Sequence, residues 1–331
     1  MNTRANGGLM SVAGAAELIE RGMALTIAGE ASLLGQLPRG LWIGGTTPYF
    51  MTADGGQCRR DAVFVQCLDT EEVSVASYGK DTLANVLEDA PENGYSIIIL
   101  PAGSPVLEVY AHHAPDFPDM FIKPIVGWVS GVHLDELGQS SAAVIDGRSG
   151  ELHTDKAVVL HARLPEGSSA VVHAVNLFEP GFGPELTFGA TSDSLSECSV
   201  DGAVGNLADV ITAHESDHRL PLVADYCGTM VNVSIQSVDE AQGRVKLYAP
   251  VFEGVRYHFA RPVADYPAKF MAAMPTYPGN LVFGCNCILN YLHSGLEGRK
   301  TAQLTGPITF GEVAYQLLNQ TAVFLTVEHD D

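Results

Sequence analysis

The spacing of apolar and polar positions changes period along the chain. Ser11 can cap a helix whose Ala15, Leu18 and Ile19 share one side, with Gly22 as its stop. A strand over 24–28 follows, then a short helix over 30–37. Pro38 leads into a strand over 41–43, a turn at Gly44-Gly45-Thr46 and a strand over 61–67 rich in β-formers.

The same order recurs twice. A helix over 81–89 groups Leu83, Val86 and Leu87 and feeds strands over 95–100, 124–128 and 141–145. Near the C terminus Asp265 can cap a helix with Pro267 in its first turn and Phe270, Met271 and Met274 on one face. Strands over 281–283, 308–310 and 321–327 follow. Gly40 to Thr46 aligns with Gly306 to Glu312, and Asp61 to Val65 with Thr321 to Leu325, so an internal repeat would bring the glycine turns together. Between these units the period is two, with strands over 156–162, 169–174, 230–236, 243–247 and 255–259 and a helix over 202–214 burying Val204, Leu207, Val210 and Ile211. The expected fold is α/β, or α+β with mixed sheets, in two intimately packed sheet-and-helix halves. Residues 1–10 read as a loose start, and the polar stretch from Glu215 to Arg219 offers a boundary between 11–215 and 216–331.

Composition narrows the classes. With 331 residues, 46% hydrophobic and 17% charged, the chain can build a large core without disulfides or a structural metal. Its 18 Lys and Arg against 39 Asp and Glu give a net charge of −21, which repels nucleic acid and anionic membranes. Six scattered cysteines (58, 67, 198, 227, 285, 287) make no disulfide framework. Glu17, Glu20 and Arg21 spoil a signal-peptide core, and no apolar run reaches membrane-spanning length, so a cytoplasmic location is expected.

No Rossmann, Walker, G-x-S-x-G or H-E-x-x-H pattern occurs. Phe283-Gly284-Cys285-Asn286-Cys287 follows an apolar run and could present two thiols and an amide at a strand-to-helix turn, where a helix N-terminus lowers a cysteine pKa. Two small core thiols are the alternative. No cofactor is expected. Cys285, Cys287 and His293 are candidate soft metal ligands and His112-His113 a candidate for haem or a metal, although the latter pair reads better as part of an Ala/Pro-rich surface loop and His258 as hydrogen-bonded within a sheet. Glu312 follows Gly311 and precedes Val313, Ala314, Tyr315, Leu317 and Leu318, so it reads as a helix start at the rim of a cleft, either binding an ammonium group or acting as a base, or serving only to cap its own helix.

At these residues the chain resembles the FIST family of sensory proteins, which carry an N-terminal and a C-terminal FIST domain. Val282 to Asn286 resembles the family's aliphatic, aromatic, Cys-Asn/Gly segment. Phe310-Gly311-Glu312 resembles its Gly-Glu segment and Asn319-Gln320-Thr321 its Asn-x-Thr segment. Pro250 to Gly254 resembles its Pro-x-Glu-Gly turn, and Ile43 to Thr47 its Ile-Gly-x-Ser/Thr-Thr turn. The family's arginine soon after Cys-Asn/Gly is replaced here by Cys287-Ile288-Leu289, which points to a different ligand or a lost pocket. The resemblance implies a small-ligand-binding sensory protein, an amino acid being one candidate ligand, that works with a separate signalling protein. Its ligand-binding residues would be Thr46, Cys285, Asn286, Gly311, Glu312 and Asn319. A thiol-dependent hydrolase or transferase using Cys285 with Glu312, and a protein-binding scaffold, are the competing readings.

Overall fold

The computed structural model describes residues 7–68, 70, 72–213, 219–226, 229–273, 281–301 and 304–329. Strand accounts for 46% and helix for 17%, a mixed α/β composition carried by several mixed sheets. Met274, Cys227 and the boundary stretch 215–218 lie outside the described residues. Among the described residues no helix is long and apolar enough to cross a membrane.

One arrangement occurs three times. In the first sheet, Ala24–Gly29 runs between Trp42–Thr46, parallel to it, and Val63–Leu68, antiparallel. In the second, Gly94–Pro101 runs between parallel Ile125–Ser130 and antiparallel Lys156–Arg163. In the third, Leu281–Cys287 runs between parallel Gly306–Thr309 and antiparallel Ala322–His329. A parallel pair needs a crossover. Helices Ala31–Leu34, Pro105–His113 and Ile288–His293 lie in the three crossovers. Each antiparallel strand takes one more neighbour, Gly7–Met10, Glu72–Gly79 and Ser168–Val175 respectively, so the first of these is paired rather than loose.

Each sheet is completed by a hairpin from another unit. Tyr49–Thr52 with Gly55–Cys58 adds to Gly306–Thr309, and Val144–Asp146 with Glu151–His153 adds to Trp42–Thr46. Glu312–Ala314 with Gln316–Leu318 adds to Ile125–Ser130. The exchange is cyclic, and it joins strands from both sides of residue 215. All three sheets turn one face to a common core holding Phe50, Phe64, Ile97, Ile99, Trp128, Phe283, Val323 and Leu325. Burying each such side chain stabilises by about 1.5–3 kcal/mol, so docking of the three faces is the main driving force for assembly. Helices Val12–Glu20, Pro105–His113 and Tyr266–Ala273 cover the opposite faces through Ala15 and Ile19, Val106 and Tyr110, and Tyr266 and Phe270.

The glycine-bearing ends of the parallel strands meet, as a repeat requires. Gly131 N–H donates to the Thr46 carbonyl at 2.7 Å, and Thr47 Oγ1 donates to the Ile308 carbonyl at 2.8 Å. Val129 exchanges backbone bonds with Phe310 and Gly311 at 2.9 and 2.8 Å. Gly44 and Gly45 lie inside a strand rather than in the expected turn. A Cβ on Gly45 would sit 2.7 Å from Ile99 and 2.8 Å from Trp128, so glycine serves close packing there.

Three expected helices are shorter than the sequence suggests, and that over 30–37 is only Ala31–Leu34. Over 81–89 the backbone closes i→i+3 bonds, and only Leu83–Asn85 is helical, as a 3₁₀ turn, although Leu83, Val86 and Leu87 are buried. Over 202–214 the helix is Leu207–Ala213. Ala203–Asn206 is a strand that pairs with Glu197–Val200 through Asp201 and Gly202, both at positive φ, and Val204 is exposed. Asp-Gly at a tight hairpin outweighs helical spacing there. Met271 is also exposed, so the face of its helix is Tyr266 and Phe270.

Candidate functional site

Cys285, Asn286 and Cys287 are the last residues of the strand Leu281–Cys287, and Cys287 is the N-cap of the helix Ile288–His293. Only Cys287 therefore stands at a strand-to-helix junction. Glu312 begins no helix. Val313 joins the apolar layer under the helix Pro105–His113, whereas Ala314 and Leu318 join the common core, so the segment has period two. Tyr315, at φ 63°, turns the hairpin between Glu312–Ala314 and Gln316–Leu318. The apolar residues on both sides of the hairpin imitate helical spacing, and the unpaired edge of Ile125–Ser130 captures the strand.

This hairpin and the neighbouring strand end bring the expected residues together. Glu312 is fully buried. Its Oε1 lies 2.8 Å from Thr309 Oγ1, and its Oε2 accepts from the Thr321 N–H at 3.4 Å. Thr309 Oγ1 also lies 3.2 Å from the Asn286 carbonyl. Asn286 Oδ1 accepts from the Cys287 N–H and from Asn290 Nδ2, each at 2.9 Å. Asn319 O accepts from Thr321 Oγ1 at 2.8 Å and from Asn232 Nδ2 at 3.1 Å.

Burial raises the Glu312 pKa to about 8, although the Thr309 hydroxyl, the Cys287 thiol and the Thr321 N–H each lower it in part. Burial, and then the Glu312 carboxylate, push both the Cys285 and Cys287 thiols well above the usual range. That is the reverse of the shift expected at a helix N-terminus. Cys285 Sγ–H points at the Gly127 carbonyl, 3.5 Å away. The two thiols are therefore core groups rather than poised thiolates.

Several polar atoms are buried without a hydrogen-bond partner among the described residues: Asn286 Nδ2 and Trp128 Nε1 on strands, Asn290 Oδ1 on the helix Ile288–His293, and Asn319 Oδ1 just beyond the strand Gln316–Leu318. Trp128 stands directly across the ladder from Glu312. No Lys or Arg among the described residues forms an ion pair with Glu312, and none is among the groups that shift its pKa.

Thr46 and Gly311 take part through backbone packing. Thr46 bonds Ala143 through both its N–H (2.9 Å) and its Oγ1 (3.0 Å), and the Gly311 carbonyl accepts from Val129. Thr309 and Asn290 were not anticipated, and Thr321 was noted only as the end of the Asn-x-Thr segment. Their one sequence signal is a polar residue inside an apolar run.

Two cavities lined by described residues lie away from the expected cleft. One of about 10 Å³, beside Tyr226, Asn232, Phe252 and Leu317, has room for a water at most. The other, about 200 Å³, is lined by Glu72, Ser74, Asp89, Pro91, His161 and Arg163. Neither reaches Cys285 or Glu312. His112 and His113 end the helix Pro105–His113 instead of occupying a loop, with ring centroids 6.2 Å apart. Among the described residues no group of three or more His, Cys, Asp and Glu side chains is arranged to hold a metal ion.

A search of curated proteins returns no match to this chain. Residues 10–328 match the model of a family of unknown function, DUF6976, and the chain belongs to that family.

Proposed function

We propose that the protein is a small-ligand-binding sensory protein of the kind its FIST resemblance implies, with Glu312 at the centre of recognition. One observation carries this reading. A fully buried carboxyl group has no basic partner among the described residues, and its own and neighbouring segments hold buried polar atoms without partners. Buried polar groups are almost always paired, so an occupant that supplies the missing partners is the economical account. Asn286 Nδ2 and Trp128 Nε1 are donors, whereas Glu312, Asn290 Oδ1 and Asn319 Oδ1 are acceptors. A small molecule with both an ammonium and a carboxylate, such as an amino acid, matches that set. Entry requires opening, and Glu312–Leu318 is the edge hairpin of its sheet, held by a short ladder to Ile125–Ser130. The signal would pass to a separate protein.

The test is a thermal-shift screen of amino acids and small amines on the wild type and on Glu312→Gln, with calorimetry on every hit. Saturable stabilisation of the wild type that the variant loses supports the reading. Stabilisation of neither protein, or of both equally, overturns it.

A further inference from the structure

The cavity of about 200 Å³ is an open depression on the second sheet, walled by the exposed side chains of Glu72, Ser74, Asp89 and Arg163, away from the residues that the FIST resemblance singles out. Its floor is His161, in register between Ser74 of Glu72–Gly79 and Ser96 of Gly94–Pro101. His161 is 2% exposed and Ser96 fully buried. Ser96 Oγ lies 2.8 Å from His161 Nδ1. On the other ring nitrogen, Nε2, the Tyr78 hydroxyl stands 3.5 Å away, at the outer limit of a hydrogen bond, and that hydroxyl donates to Asp89 Oδ2 at 3.1 Å. Burial holds the imidazole neutral, its pKa lowered to about 4. Tyr78 thus fixes Asp89 at the rim over an uncharged, polar floor.

The lining is rich in acceptors. Asp89 and Glu72 offer carboxylates and Ser74 a hydroxyl, while the two ring nitrogens of His161 are turned to Ser96 and Tyr78. The donor Arg163 is already engaged, its Nε 3.1 Å from Glu72 Oε2. Lys123, which also faces His161 electrostatically, spends its ammonium on the Leu87 and Ala90 carbonyls and on Glu92 and Asp119. Two carboxylates against one guanidinium leave an excess of one negative charge in the cavity. An anion would be repelled, whereas a ligand bringing one positive charge and several N–H donors would neutralise the site and use its acceptors. The volume falls below the roughly 300–1,000 Å³ of drug-sized sites, which limits the ligand to a compact molecule.

We propose that this cavity is a binding site for a small organic cation, a primary alkylammonium or an alkylguanidinium, held by Asp89 against the His161 floor. The site is independent of the Glu312 reading. The decisive groups are Asp89 here and Glu312 there, so either can fail alone.

The experiment is an NMR titration of the full chain with methylguanidine, butylamine and tetramethylammonium, read on the His161 imidazole resonances. The first two should shift those resonances saturably, with Kd below about 10 mM. Tetramethylammonium, equal in charge but without N–H donors, should bind about 10- to 100-fold more weakly, and so should methylguanidine to Asp89→Asn. The amide introduced by that substitution still offers an oxygen to Tyr78, and a urea midpoint confirms that the variant is folded. If it is not, Glu72→Gln removes the other carboxylate and should weaken binding in the same direction. Absence of a saturable shift, equal binding of tetramethylammonium, or unchanged affinity in the carboxylate variants overturns the proposal.

Discussion

Thr309 Oγ1 lies 2.8 Å from Glu312 Oε1 while standing 3.2 Å from the Asn286 carbonyl, so one hydroxyl proton faces two acceptors. A protonated Glu312 resolves the competition. Its own proton goes to Thr309 Oγ1, and the Thr309 proton is then free for Asn286. Difference infrared spectra of the wild type minus Glu312→Gln should therefore show the C=O stretch of a neutral carboxylic acid at neutral pH. A carboxylate band alone under those conditions would contradict this arrangement.

Stability should follow the same proton. Because the Glu312 pKa is raised from 4.5 to about 8, the folded chain binds more protons than the unfolded one between those values. Stability is then lost as pH rises, by about 1.4 kcal/mol per unit of pH at most. His161 acts in the opposite sense. Its pKa is lowered from 6.5 to about 4, so its contribution is lost as pH falls through that window. The two offset each other between 4.5 and 6.5, and Glu312 dominates from 6.5 to about 8. Urea midpoints for Glu312→Gln should fall less steeply there than those of the wild type, with the variant the more stable protein on the alkaline side. Parallel curves would mean that Glu312 does not titrate in this range.

Thr309→Val removes the hydroxyl while keeping the shape. It leaves the Asn286 carbonyl and Glu312 Oε1 each short of a partner in the core, and should destabilise by about 1–3 kcal/mol in urea unfolding. A neutral substitution would show that the bonds around Glu312 are replaced by water.

The thiols should separate by burial. Cys58 and Cys67 are partly exposed, whereas Cys198, Cys285 and Cys287 are buried. In the native protein N-ethylmaleimide should label the first two well before Cys285 and Cys287, which should react on unfolding. Mass spectrometry of peptides along a time course reads the order. Native labelling of Cys285 as fast as Cys58 would revive the thiol-enzyme reading.

Much of the fold was legible because its signals are local. The Ser11 cap, the apolar runs at Ala24–Gly29 and Gly94–Pro101 and the threefold order all rest on neighbours in sequence. Glu312 was legible as a residue to watch but not as a strand. What makes it a strand is the open edge at Trp128, which no local pattern around Glu312 reveals. His161 was missed altogether. Within Lys156–Arg163 it looks like one polar interruption, and its importance comes from Ser96, Tyr78 and Asp89, all distant in sequence.

The meeting of the strand ends can be probed at Gly131. A Cβ there would lie 1.9 Å from the Phe310 ring, so Gly131→Ala must displace that ring or part the strands. A loss of about 1–3 kcal/mol is expected, as for an overpacked core. Truncating the ring in Gly131→Ala/Phe310→Ala should recover part of it relative to Phe310→Ala alone. If the two losses simply add, the close approach is not what requires glycine.

Because each sheet is finished by a hairpin from another unit, the order of synthesis matters. A ribosome completes Ile125–Ser130 long before it makes Glu312–Leu318, and until then that strand presents an unfilled edge. The hairpin Tyr49–Thr52/Gly55–Cys58 likewise waits for Gly306–Thr309. Open edges of this kind pair with other chains, so the nascent protein passes through an aggregation-prone interval that closes only when its last strands emerge.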